Sequence, residues 1–248
     1  MAQSEFGELK VFEDFLGIDP DYAWAAGGFS IGGVSVTSVN EGSIETTVDE
    51  PGGIVAITTD TADNDNVALY AGAFKAADGP LVMETRFKYS NVDTSIFAGF
   101  TETLAKDTPV MPAEFATATM TYNGTGAMAG MQYDVDGTTD DFRAVFGDAG
   151  VALTGNGADA AGTRANATVT ADRWMIVRVE IDPNGAARCY FGDQTSTAQM
   201  KLIKSITGGI PTDVMLFPTL FCENRSGNAR VLEVDYFYAR GYRDWSAD

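Results

Sequence analysis

The stretch from Asp172 to Asp193 constrains the fold more than any other, because it reads as two alternating strands joined by a turn. Apolar side chains occupy every second position of its first half, at Met175, Val177, Val179 and Ile181. A period of two is typical of a strand with one face in a core. A turn signal at 183–185 (Pro-Asn-Gly) leads into a second alternating run at 187–191. The pattern predicts a long antiparallel hairpin near the centre of an all-β sandwich.

Short alternating runs recur along the rest of the chain, with Gly, Pro and Asn between them. Such spacing favours a two-sheet antiparallel sandwich over an α/β fold. Residues 101–117 are the only plausible site of a short helix or long loop. Residues 1–28 are predicted to be an N-terminal arm whose aromatic side chains pack on the sandwich or on a neighbouring subunit. Residues 29–248 are predicted to be a single domain.

The net charge of the chain limits the classes of molecule that it can bind. It carries 35 acidic and 16 basic residues, a formal net charge of -19. Such a surface repels phosphate backbones and anionic lipid, so we predict neither a nucleic-acid nor a membrane partner. No apolar run reaches the length of a membrane span, and residues 1–15 lack a signal-peptide pattern. We therefore expect synthesis in the cytoplasm without a signal peptide.

Histidine is absent from the sequence, and cysteine is rare. The absence of histidine excludes Ser-His-Asp and Cys-His nucleophile systems and imidazole metal ligands. Cys189 and Cys222 each fall in a predicted strand on an apolar side. We predict buried free thiols, with a disulfide between neighbouring strands as the alternative.

Two acidic loops are candidate cation sites. The loop 60–66 (DTADNDN) offers the oxygen ligands Asp60, Asp63 and Asp65, together with Asn64. Calcium binds to several loop oxygens, although turns rich in Asp and Asn also form without a metal. A second group comprises Asp134, Asp136, Asp140 and Asp141. The sequence thus predicts no cofactor, with calcium as the one possible exception.

Four aromatic residues on the polar sides of predicted strands are candidate ligand or contact residues: Trp174, Tyr190, Tyr236 and Tyr238. They would form a sugar-stacking platform or, alternatively, pack against protein. Two carboxylate pairs, Glu180 with Asp182 and Glu233 with Asp235, have a spacing that glycoside hydrolysis could use. We interpret them as solvated strand faces and predict no catalytic residue.

Several segments resemble the concanavalin A-like lectin/glucanase jelly roll. The resemblance is carried by Leu81–Phe87, Ile96–Thr101, Trp174–Phe191 and Val234–Tyr238. It implies a concanavalin A-like jelly-roll sandwich. The E-x-D-x-x-E strand of the glucanase-type members is missing here, so the resemblance implies a protein that is not an enzyme.

The chain also resembles jelly-roll virion proteins of tailed phages, in general character rather than in a motif. This resemblance is carried by the opening Phe12-Glu-Asp-Phe-Leu-Gly, the acidic small-residue composition and the segment Arg240–Trp245. It implies a structural homo-oligomer in the virion, a capsid decoration or surface protein that contacts capsid or other virion proteins. The alternative is a carbohydrate-binding module that binds a cell-surface glycan, and a glycoside hydrolase is the third hypothesis.

Overall fold

The computed structural model shows a sandwich of two antiparallel sheets. It describes residues 7–16, 23–25, 29–38, 40, 42–47, 53–105, 108–116, 119–124, 126–154, 160–168, 170–193 and 200–243. Every strand pairing in this part of the chain is antiparallel, and each of the two sheets has nine strands. The prediction of an all-β, two-sheet antiparallel sandwich is therefore confirmed.

The first sheet contains the hairpin that the sequence predicts. In spatial order it consists of β18 (Lys201–Ile206), β17 (Ala187–Asp193), β16 (Met175–Ile181), β8 (Leu81–Tyr89), β20 (Val231–Tyr242), β6 (Val55–Thr58), β5 (Ser43–Thr46) and β2 (Ala23–Ala25). The strand β1 (Glu8–Glu13) also pairs with β20, beyond the end of β6.

The second sheet lies on the other side of the core. In spatial order it consists of β14 (Val151–Ala152), β13 (Asp141–Asp148), β12 (Met128–Asp134), β9 (Thr94–Thr101), β19 (Phe217–Asn224), β7 (Asn66–Ala71), β4 (Val34–Ser38) and β3 (Phe29–Ile31). The strand β15 (Thr163–Thr168) also pairs with β13. A separate hairpin joins β10 (Ala113–Ala116) to β11 (Thr119–Tyr122).

The β16–β17 hairpin is antiparallel and has the predicted turn. Asp182 Oδ1 accepts the backbone N–H groups of Asn184 and Ala186, which fixes the turn. Gly185 has φ +76, and a Cβ there would come within 2.2 Å of the Ile210 carbonyl oxygen. Only glycine fits this position without displacing the neighbouring loop.

One apolar core fills the space between the sheets. The alternating residues of β16 point into it, and Phe142 of β13 stacks on Phe191 of β17 with 5.0 Å between ring centroids. Cys189 and Cys222 are buried free thiols, as predicted. Burial raises the pKa of both thiols, so they are inert hydrophobic residues of the core.

The described part of the predicted arm, residues 1–28, packs on the sandwich. β1 lies along β20, with Phe12 opposite Tyr238, and Val11 and Phe15 belong to the central core. β2 pairs with β5. These residues therefore contribute strands to the first sheet, and the division of the chain at residue 28 stays a prediction.

The segment 101–117, predicted to be a short helix or long loop, has neither helix nor strand at 102–105 and 108–112 but ends in the strand β10. The β10–β11 hairpin covers the outer face of the second sheet, where Phe115 and Met120 pack with Phe97 and Phe221. The one helix whose two ends lie in the described ranges is a 3-10 turn, Ala76–Asp78. No helix there has the length and apolar character that crossing a bilayer requires.

Candidate functional site

Three loops meet at one end of the second sheet. β7 begins there at Asn66, β12 ends there at Asp134, and β19 ends there at Asn224. The loops next to these strand ends and the β10–β11 hairpin enclose a cleft of about 810 Å³. Its lining includes the acids Asp63, Glu114, Asp136 and Glu223, the amides Asn64, Asn66 and Asn123, and the apolar residues Val110, Met111 and Phe115.

Arg225 organises the wall of this cleft. Its Nη2 atom lies 2.8 Å from both Glu114 Oε2 and Asp134 Oδ2. Its Nη1 atom donates to Asn64 Oδ1 at 2.7 Å and lies 3.1 Å from Glu223 Oε1. The side chain is only 6% exposed, so these oxygens replace the water that the guanidinium loses on burial.

Burial changes the acidity of two carboxyl groups beside Arg225. It raises the pKa of Glu223 to about 7; the guanidinium opposes this rise, while the charges of Glu114 and Asp134 add to it. Burial also raises the pKa of Asp134, although Arg225 and the N–H groups of Phe115 and Asp136 hold it down. Glu223 thus exchanges its proton near neutral pH inside an open cleft.

Two buried acceptors of the cleft wall lack a hydrogen bond. Asn66 donates from Nδ2 to the Pro109 carbonyl oxygen at 2.7 Å, but its Oδ1 atom has no donor among the described residues. Glu223 Oε1 is within ion-pair distance of Arg225 without hydrogen-bond geometry. The Nε donor of Arg225 is also without a partner there. Buried polar atoms are normally paired, so these atoms call for a ligand or water.

The structure separates the three aspartates predicted to bind calcium. Asp63 lines the cleft, whereas Asp60 accepts the N–H of Thr61 and Asp65 accepts from Asn40. Across the described ranges, no three acidic or thiol side chains form a group that could hold a metal ion. The placement gives the calcium prediction no support.

The second acidic group divides between two places. Asp136 lines the cleft 4.0 Å from Arg225, and Asp134 contacts Arg225 from behind the lining. Asp141 instead forms an ion pair with Arg164, and Asp140 is exposed. The two acidic loops that the sequence analysis identified do meet, but they surround the guanidinium of Arg225 rather than a metal-ion site.

The four candidate aromatic residues lie on the outer face of the first sheet, away from the cleft. Arg86 stacks over the Trp174 ring at 4.3 Å. The hydroxyl groups of Tyr236 and Tyr190 donate to Glu84 and Glu180 at 2.8 and 3.2 Å. Tyr238 lies opposite Phe12 of β1. The hydroxyl groups of Tyr236 and Tyr190 and the ring face of Trp174 are thus used within the sheet.

The two carboxylate pairs considered for hydrolysis have structural partners. Three of the four carboxylates form ion pairs: Glu180 with Arg178, Glu233 with Lys88 and Asp235 with Arg86. The fourth, Asp182, holds the β16–β17 turn. This placement agrees with their interpretation as strand-face residues.

Sequence reasoning missed the residues at the centre of the cleft. The segment 223–228 reads as a polar turn in the sequence. In the structure Glu223 is the last outward-facing position of β19, and Arg225 is the first residue after that strand. Alternation gave no signal here, because β19 is buried on both faces from Pro218 to Asn224. Glu114 gave no signal, because its partner Arg225 is remote in sequence.

Comparison with known proteins supports the fold. No known family model matches the sequence, and a search of curated proteins finds no match. A crystal structure of a protein of unknown function from Shewanella oneidensis MR-1 superposes with a TM-score of 0.57 at 11% identity, covering 100% of this chain and 92% of that one.

Lectins superpose over most of the chain as well. The Lotus tetragonolobus seed lectin has a TM-score of 0.56 at 9% identity and covers 90% of this chain and 100% of its own. The exoplasmic/lumenal domain of VIP36 in its Ca²⁺-bound form has a TM-score of 0.52 at 11% identity, with coverages of 96% and 91%. Identity this low shows the fold alone. The chain has the lectin-like, concanavalin A-like jelly-roll fold.

Proposed function

We propose that the protein is a carbohydrate-binding, lectin-like module and that the cleft around Arg225 is its ligand site. The observation that carries the proposal is the unpaired acceptor Oδ1 of the buried Asn66 in an open cleft. The lectin-like fold supports it, because the Lotus and peanut proteins are lectins of the same architecture.

The chemistry of the lining suits a sugar. Hydroxyl groups donate and accept, so they complement both the unpaired acceptors and the unpaired Arg225 Nε donor. The side chains of Val110 and Met111 offer apolar contact for the C–H faces of a sugar ring. Concave sites with a few convergent polar groups and apolar walls are typical of small-ligand binding.

Calcium does not fit this cleft as a resident ion. VIP36 has a Ca²⁺-bound form, which is the reason to test the fit. Here the guanidinium of Arg225 occupies the space among Glu114, Asp134 and Glu223, and its fixed positive charge would repel a divalent ion placed at these carboxylates. We propose that the ligand binds without a metal ion.

A steric block tests the site. Ala116 is exposed and lines the cleft, so Ala116→Trp should fill it and remove binding on a glycan array. Ala77→Trp is the matched control, because Ala77 is an exposed alanine in the 3-10 turn after β7, at the opposite end of the second sheet. A blank array with the unaltered protein would refute the proposal.

The same array tests the aromatic platform. Trp174→Ala and Tyr236→Phe change the outer face of the first sheet and leave the cleft lining intact. If they abolish binding and Ala116→Trp does not, the sugar site lies on the first sheet. We expect the reverse, because Arg86 and Glu84 already contact these two side chains.

The virion role remains a proposal that the lectin-like fold does not support. It implies contacts with capsid proteins and a homo-oligomer, and Phe12, 58% exposed beside β20, is the side chain we would assign to such a contact. Mass spectrometry of purified phage particles tests the location. A monomer by light scattering, with no affinity for capsids, would remove this role.

Glycoside hydrolysis is a second candidate because of one observation. Glu223 combines a pKa of about 7 with a position in a cleft beside other carboxylates, as a general acid requires. Polysaccharide turnover that Glu223→Gln abolishes would establish it. Absence of turnover on every glycan that binds would remove it.

A further inference from the structure

We infer that the sugar bound in the cleft carries a protonated amine, as in de-N-acetylated amino sugars. This inference rests on the proposed function and names the ligand class for the same site. It follows from the balance of charge in the cleft and from the atoms that lack partners.

Among the described residues, the cleft has more acids than bases. Its lining there contains Asp63, Glu114, Asp136 and Glu223, and Arg225 is the only basic residue of that lining. Arg225 is in direct contact with Glu114 and with Asp134 behind it, so its charge is already compensated. The two exposed carboxylates, Asp63 and Asp136, therefore leave the mouth of the cleft negative.

Two residues of the cleft lining have buried oxygens without a hydrogen bond. Asn66 is 97% buried, and its Oδ1 atom accepts nothing in the described part of the chain. Glu223, 96% buried, offers a second acceptor without a hydrogen bond. An ammonium group has three donors and no acceptor, so its N–H groups suit acceptors of this kind and its positive charge suits the acidic lining.

The remaining unpaired atom explains why the ligand is a sugar amine. Arg225 Nε is a donor and lies 4.0 Å from Asp136 Oδ2, which leaves it without a hydrogen bond. A hydroxyl next to the amine can accept from Nε and donate to a carboxylate. An acidic sugar would instead place its carboxylate against Asp63 and Asp136, where like charges repel.

The test compares two ligands that differ only in the amine. Oligomers of glucosamine and the N-acetylated oligomers of the same length are titrated calorimetrically into the full chain, below the pKa of the amine. We expect the glucosamine oligomer to bind at least about tenfold more tightly, with an affinity that falls as salt rises from about 0.05 to about 0.5 M because exposed charges are screened.

A pair of double variants separates cleft binding from general attraction to an acidic protein. Asp63→Asn with Asp136→Asn removes two charges at the cleft, and we expect the affinity for the glucosamine oligomer to fall about fivefold to thirtyfold. Asp148→Asn with Asp213→Asn removes two charges near the far ends of β13 and β19. This control should bind like the unaltered protein.

Each outcome decides something. Equal or tighter binding of the N-acetylated oligomer overturns the inference and leaves the proposed function standing. Equal losses in the two double variants also overturn it, since the attraction would then not come from the cleft. If neither oligomer binds and the glycan array is blank, the proposed function itself is wrong.

Discussion

Replacing Glu223 with glutamine should flatten the dependence of stability on pH. The folded protein holds the pKa of Glu223 at about 7, against an ordinary value of 4.5. Between these two values the folded state binds more protons than the unfolded state. The free energy of unfolding therefore decreases as pH rises through this range, because ionisation is less costly in the unfolded chain.

The magnitude follows from the two pKa values. From about pH 5 to about pH 8, the group should remove about 2.5 kcal/mol of stability from the unaltered protein. Glutamine keeps the shape of the protonated acid and cannot ionise. Glu223→Gln should therefore gain about 2.5 kcal/mol relative to the unaltered protein over the same range. Asp134, whose pKa is also raised, contributes the same sign to both proteins.

Urea unfolding at several pH values measures this difference, monitored by both tryptophan fluorescence and circular dichroism so that two-state behaviour is checked. Asp213→Asn, an exposed acid in the loop between β18 and β19, serves as the control and should follow the unaltered protein. Parallel curves for Glu223→Gln and the unaltered protein would refute the reasoning, since Glu223 would then ionise equally easily in both states.

Three further predictions follow from the geometry. Arg225→Met leaves Asp134 and Glu223 buried without their cation and should lower the free energy of unfolding by about 3–5 kcal/mol at neutral pH. In the control Arg188→Met, which changes an exposed arginine, urea unfolding should give a difference of less than about 1 kcal/mol. Similar values for the two variants would contradict the role of Arg225. Gly185→Ala places a Cβ against the Ile210 carbonyl oxygen at positive φ and should lower the free energy of unfolding in the same assay by about 1–3 kcal/mol. An unchanged urea midpoint would show that the loop around Ile210 moves aside without cost. Chelation with EDTA should leave glycan binding and Tm unchanged. A Tm that rises by more than about 2 °C when calcium is added, and does not rise in Asp63→Asn, would restore the calcium hypothesis.

The sandwich could be predicted because its strands follow the period of two closely. In β16 every second residue is buried, and β8 shows the same alternation from Met83 to Tyr89. Burial on one face is a local property of a strand, so it is written in consecutive residues. The outer face of the second sheet was harder, because β9, β12 and β19 are buried on both faces and show little alternation.

The cleft could be predicted only in part. Composition identified the loop that contains Asp63 and the one that contains Asp136, but not their meeting at one end of a sheet. That meeting depends on β7, β12 and β19 being placed in the same sheet by pairing with strands distant in sequence. The short β10–β11 hairpin escaped notice for a similar reason. Its stability comes from packing on Phe97 and Phe221 rather than from the propensity of its own residues.

The pairing of β1 with β20 has a consequence for how the molecule is made. Glu8 lies opposite Tyr242, so β1 is translated long before the strand whose backbone groups pair with its own. Until then Val11 and Phe15 have no completed core to enter. Contacts so distant along the chain close slowly and leave apolar surface exposed meanwhile. Ribosome-bound chains that lack β20 should therefore depend on chaperones, which pulse proteolysis of stalled chains would reveal.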